Sequence, residues 1–130
     1  MTIPQLDRVK FDQNDIDNVL AQLSSDQVDQ LAFGAIQVDA DGKVLSFNAT
    51  ESEITHRDKK DVIGKNFFTD VAPCTNRPGF HGRFVDEVKA QGRSVLFEYV
   101  FDYKMNPTKV RVHMKKALTG DTYWFLVSRI

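Results

Sequence analysis

The chain has 130 residues, 42% of them hydrophobic, and its 17 basic and 18 acidic side chains leave a formal charge of −1. That length fits one domain with one core, burying about two thirds of the surface its unfolded chain would expose. Lys and Arg are spread along the sequence, which excludes the clustered basic footprint of nucleic-acid binding.

No stretch approaches the ~18 consecutive apolar residues of a membrane span. The N-terminus, Met1-Thr2-Ile3-Pro4-Gln5-Leu6-Asp7, lacks the charged and apolar regions of a secretion signal. The single cysteine, Cys74, cannot form an intrachain disulfide and fits a reducing compartment. A soluble, cytoplasmic protein is expected.

The first thirty or so residues read as helical. Ile16, Val19, Leu20 and Leu23 fall at i, i+3, i+4 and i+7 behind a cap-like Asn14-Asp15, and Ser24 with Gln27 forms a capping-box pattern for a second short helix. These pieces are too short to be stable alone and must pack on something larger. From Phe33 the texture turns to strand: Phe33 to Val38, the turn Asp39-Ala40-Asp41-Gly42, then Lys43 to Phe47 predict a hairpin.

The middle of the chain is helical and loop-rich. Asp58 caps a short helix closed by Gly64, and Phe80, Phe84 and Val88 mark one face of a longer helix ending before Gly92. Three strands follow. Val95, Phe97, Tyr99, Phe101 and Tyr103 alternate with other residues, as do Val110, Val112 and Met114, and Tyr123 to Ile130 closes the chain after Gly120-Asp121. Strands at both ends with helices between them predict an α+β fold: an antiparallel sheet of about five strands covered on one face by the central helices, with a crevice between the layers. Residues 1–30 are expected to form a helical cap and 31–130 the core, in one domain.

Cys74 lies in the segment facing that crevice, just after Phe67-Phe68 and directly after Pro73. It is a packing residue, a nucleophile or an attachment point. Free cysteine is among the most buried residue types, and no histidine is placed beside it by spacing. Glu51, Thr55 and Arg57 follow the second strand closely and place an acid, a hydroxyl and a permanent cation near the crevice, unless they sit on a solvated polar loop. His56, His81 and His113 have no metal-ligand spacing with Cys74. There is no phosphate-binding glycine loop and no Gly-x-Ser-x-Gly elbow.

Several runs nonetheless resemble one family closely. Leu31-Ala32-Phe33-Gly34-Ala35-Ile36-Gln37, Val62-Ile63-Gly64-Lys65-Asn66-Phe67-Phe68, Asp70-Val71-Ala72-Pro73-Cys74-Thr75, and Phe97-Glu98-Tyr99 through Met105 with Pro107-Thr108-Lys109-Val110 are similar to the photoactive yellow protein family. The match runs from about Asp15 to Ile130. The resemblance implies a PAS fold with an N-terminal helical cap on the sheet face away from the connecting helices. It also implies a p-coumaric acid (4-hydroxycinnamic acid) chromophore held as a thioester on Cys74.

Carried over residue by residue, Glu51 is the buried acid that donates to the chromophore phenolate, Thr55 the neighbouring hydroxyl and Arg57 the gate, while the Cys74 backbone bonds the chromophore carbonyl. The implied pocket walls are Phe67, Val71 and Ala72 with Phe101, Tyr103 and Met105, and Met105 is expected to help the return to the dark isomer. In this family light isomerises the chromophore, the acid gives up its proton and the protein partly unfolds to signal.

Two positions depart from the pattern. Phe47 stands where a tyrosine usually hydrogen-bonds the phenolate, removing one donor. His56 stands where a glycine usually separates the threonine from the arginine. The resemblance predicts a monomeric blue-light receptor rather than an enzyme, passing its signal to an unidentified downstream protein. The alternatives are a PAS-type sensor of a non-covalent ligand, or of redox state through the free thiol, and last a thiol hydrolase.

Overall fold

The computed structural model describes residues 10, 15–90, 94–103, 105–118 and 120–130. Five strands form one antiparallel sheet: β1 (Gly34–Asp39), β2 (Val44–Phe47), β3 (Val95–Phe101), β4 (Thr108–Lys116) and β5 (Thr122–Arg129), in the order β2-β1-β5-β4-β3. The first and last strands therefore meet in the middle, β1 against β5, with Ile36 opposite Phe125. The expected hairpin is present. Asp39 Oδ1 accepts from the Asp41 and Lys43 amides, both at 2.9 Å, and Gly42 takes the positive φ of 90° that an L side chain avoids.

Each face of the sheet carries its own core, because alternate residues of β5 point to opposite sides. Tyr123, Phe125 and Val127 join the larger cluster with Ile36, Val112 and Met114, beneath Phe67, Phe68, Phe80 and Phe84 of the connecting segment. Trp124 and Leu126 face the other way and pack on Ile16 and Leu20 of α1 (Ile16–Ala21), together with Leu31 and Phe33. The cap helices thus sit on the second face. At α2 (Ser25–Asp29) the capping box is complete, with Ser24 accepting from the Gln27 amide at 3.2 Å and Gln27 accepting from the Ser24 amide at 2.9 Å. Asp15 occupies the α1 cap position without a side-chain hydrogen bond, and Asn14 lies outside the described residues.

The connecting segment is less regular than its apolar spacing predicts. Phe80, Phe84 and Val88 do share one side, but the α-helical part, α4 (Arg83–Ala90), begins only after a wider, π-type turn, Pro78–Gly82. The missing proline N–H and Gly79 favour a local winding that differs from the helix after it. Asp58 caps only one short 3₁₀ turn, Lys59–Asp61, before Gly64 at φ 85°. Tyr103, expected in strand, lies beyond the end of β3 at Phe101.

Asn48 ties three elements together. Its Oδ1 accepts from the amides of Ala35 and Glu51, both at 2.9 Å, capping α3 (Ala49–Thr55), and its Nδ2 donates to the carbonyls of Val28 at 2.9 Å and Phe33 at 3.1 Å. Removing the amide takes a hydrogen-bond partner from four backbone groups around a buried position, of which the Val28 carbonyl keeps the Leu31 amide at 3.3 Å. Each buried group left unsatisfied costs about 1–3 kcal/mol, partly relieved where water reaches it. Asn48→Ala is therefore expected to lower unfolding free energy by about 3–5 kcal/mol, measured by urea titration, with the cap helices losing amide-exchange protection first.

Candidate functional site

Three parts of the chain converge between the sheet and the connecting segment. β2 contributes Phe47, α3 Thr55, and the residue after its left-handed cap Arg57. The connector adds Phe67, Val71, Ala72 and Cys74, and the end of β3 with the loop after it adds Phe101, Tyr103 and Met105. These ten residues line one cleft, and all ten were expected at the site. The lining is almost wholly apolar and its walls nearly touch, leaving room for about one water molecule, ~10 Å³. A roomier cavity of about 440 Å³ lies on the other face of the sheet, beside Leu20, Val28 and Trp124, away from the thiol.

The connector is folded to present Cys74. Asn66 Oδ1 accepts from the Phe68 amide at 2.9 Å and the Thr69 amide at 3.2 Å, starting a π-type turn, Phe67–Val71, that buries Phe67, Phe68 and Val71. The Ala72 amide closes that turn on the Phe67 carbonyl at 2.8 Å. A 3₁₀ turn, Pro73–Thr75, follows at once with the proline at its first position, leaving Cys74 half-buried and free.

Glu51, the remaining expected residue, stands slightly apart. It shares a face of α3 with Thr55, four residues on, but does not line the cleft itself. Its side chain is fully buried and neither carboxyl oxygen has a hydrogen-bond partner among the described residues. A Cβ on Gly34 would stand 2.9 Å from Glu51 Oε2, so the carboxyl packs against Gly34 of β1 and would have to shift if that position carried a side chain. Burial raises its pKa well above the usual carboxylate range, with Arg129 pulling more weakly the other way. Burial therefore favours the protonated, uncharged form of Glu51, whose carboxyl oxygens have no hydrogen-bond partner among the described residues.

Thr55 Oγ1 donates to the Glu51 carbonyl at 2.8 Å, a bond back along its own helix. Arg57 lies over the Tyr103 ring at 5.1 Å and donates to the Tyr103 carbonyl at 3.2 Å, bridging the mouth of the cleft. His56 between them takes φ 58° as the C-cap of α3. Left-handed backbone is costly for a residue with a Cβ. His56→Gly is expected to raise stability by about 0.5–1 kcal/mol, a Tm gain of about 2–4 °C by calorimetry, because the added freedom of the unfolded glycine offsets part of the relief.

One contact at the site was not anticipated. The Tyr99 hydroxyl donates to the Cys74 carbonyl at 2.5 Å across 25 residues of sequence. Its alternation in β3 marks Tyr99 only as a core aromatic, and nothing local signals where its hydroxyl goes. Among the described residues no group of three or more His, Cys, Asp and Glu is placed to hold a metal ion.

The PAS fold family model matches residues 23–129. Photoactive yellow protein from Halochromatium salexigens is 59% identical over 122 residues, covering 94% of this chain and 98% of that protein. Photoactive yellow protein from Rhodothalassium salexigens is 54% identical over 125 residues, covering 96% of this chain and all of that protein. This chain belongs to the photoactive yellow protein family. Among solved structures, the photoactive yellow protein domain of the sensor histidine kinase Ppr from Rhodospirillum centenum superposes with a TM-score of 0.82 at 42% identity, covering 86% of this chain and 98% of that one. The PAS fold with its five-stranded antiparallel sheet is thus established for this member of the photoactive yellow protein family. No described helix is long and apolar enough to cross a membrane.

Proposed function

We propose that this chain is a cytoplasmic, monomeric blue-light receptor that carries p-coumaric acid as a thioester on Cys74 and is not an enzyme. The single observation that carries the reading is Glu51: a fully buried carboxyl, its pKa raised by that burial and both oxygens unpartnered among the described residues, one helical turn from a cleft that contains the only thiol of the sequence. Such a group is costly unless something accepts its hydrogen bond, and a phenolate does so. The family membership of the chain supports the same assignment.

The residues fit the group. Cys74 would supply the thiol and Phe67 and Phe101 apolar ring contacts, and the narrow cleft would have to open around a planar ring, which Met105, unbranched and with three rotatable bonds, would accommodate. When bound, the chromophore supplies visible absorption and light-driven trans-to-cis isomerisation. Glu51 would offer its proton to a phenolate in the dark and would give it up after light. The carboxylate then left behind sits on the Gly34 backbone without a counter-ion bond, which destabilises the packing around it. Asn48, capping the same helix through the Glu51 amide, also holds the Val28 carbonyl of the cap, so movement of α3 loosens the cap's attachment to the sheet. The released surface signals to a downstream protein.

The test is intact mass and visible spectra of protein produced with activated p-coumaric acid, beside Cys74→Ala. A gain of one coumaroyl group, with a blue-absorbing band that bleaches in light, recovers in the dark and is missing in the variant, is the expected result. A colourless, unmodified protein overturns it in favour of a non-covalent ligand or a redox signal.

A further inference from the structure

We propose that Tyr99 is a positioning residue for Cys74, fixing from the sheet the one carbonyl of the cysteine turn that the turn itself does not hold. The proposal rests on Cys74 carrying the chromophore, and concerns how the anchored end is kept still while the group bound through Sγ changes shape.

The turn around Cys74 is pinned internally at almost every point. The Thr75 amide donates to the Ala72 carbonyl at 2.8 Å and Thr75 Oγ1 to the same oxygen at 2.6 Å, while the Asn76 amide donates to the Pro73 carbonyl at 3.1 Å. Pro73 fixes its own φ. The Cys74 carbonyl is served from outside, by the Tyr99 hydroxyl at 2.5 Å, the short end of the range for an O–H donor. Tyr99 is itself held. Its ring meets Phe80 edge-on at 5.3 Å and Phe101 at 6.3 Å.

Tyr99 does not line the cleft, so it has no wall through which to act on a bound ring. Its route is the Cys74 backbone. Burial and the neighbouring Cys74 push its phenol pKa up, with Arg77 opposing, so the hydroxyl remains a donor through neutral and mildly alkaline pH. The bond holds the Cys74 carbonyl, and with it ψ and the orientation of the Cα–Cβ bond that carries Sγ. A held Cys74 backbone would keep the anchored end of the bound group in place through isomerisation. It also keeps the group in place for the return.

The experiment compares chromophore-loaded parent, Tyr99→Phe and Phe97→Leu, the last perturbing the same strand without touching Cys74. Tyr99→Phe is expected to load to full mass and keep its absorption maximum, because the phenolate end is unaltered. Its thioester carbonyl infrared band should shift and its dark recovery should slow about three- to tenfold, against no change in band or rate for Phe97→Leu. An unchanged band with recovery within a factor of about 1.5 of the parent overturns the proposal and leaves a hydroxyl that only satisfies a carbonyl.

The rate at which a small disulfide reagent attacks Cys74 in chromophore-free protein provides a second reading. It should rise at least about threefold in Tyr99→Phe alone, and equal rates overturn the proposal. If the parent takes up no colour, the function proposed above fails, while the thiol rates still decide the role of Tyr99.

Discussion

Replacing Phe47 with tyrosine is expected to lower the pH at which the bound chromophore gains its proton by about 1–2 units. A free phenol ionises near pH 10, judging by tyrosine, so a phenolate at neutral pH depends on donors in the cleft. Phe47 is buried in the wall and has no hydroxyl, and the Thr55 hydroxyl is already committed to the Glu51 carbonyl at 2.8 Å. Of the polar residues expected at the phenolate, Glu51 is the acid left to serve the anion. A hydrogen bond to a charged group contributes about 1.5–3 kcal/mol, which is about 1–2 pKa units. Rotation of Thr55 towards the phenolate recovers only part of this, because it gives up its own bond. The parent should thus carry a larger protonated, blue-shifted fraction than Phe47→Tyr across a pH titration of absorbance. Identical spectra and midpoints in the two proteins would sink the idea.

In chromophore-free protein, Glu51→Gln is expected to flatten the dependence of stability on pH. Burial raises the pKa of Glu51 in the folded chain above its ordinary value of about 4.3 in the unfolded chain, so between the two the folded state binds the extra proton. Unfolding free energy therefore falls as pH rises through that window, by up to about 1.4 kcal/mol per pH unit, and this contribution is level below it. Glutamine keeps the shape and carries no such proton. Urea titrations from pH 4 to 8 should show the parent losing stability relative to the variant as pH rises. Parallel profiles would mean that the carboxyl is not held neutral.

The sheet and the second cap helix were readable from local signals because their determinants are local: two-residue alternation in Val110, Val112 and Met114, the Asp39 to Gly42 turn, and the Ser24–Gln27 box of α2 each act within a few residues. The irregular winding at Pro78–Gly82 was not, because a 3.6-residue apolar spacing does not distinguish a helix from a wider turn that points Phe80 the same way. The members of the cleft came from resemblance. Their convergence depends on contacts across long separations, such as Arg57 with Tyr103, that periodicity does not encode. Asn48 and Tyr99 escaped for a related reason: each does its work through a side-chain bond to backbone distant in sequence, from Val28 to Asn48 and from Cys74 to Tyr99.

The arrangement of the second face also gives the molecule a built-in optical probe. Trp124 is the single tryptophan in the chain and lies only 7% exposed against Ile16 and Leu20 of α1, on the side of the sheet away from Cys74. Its emission reports the solvation of the cap face alone. Undocking of the cap wets the indole and moves its fluorescence to longer wavelength, so detachment can be followed in time without adding a dye or altering a residue.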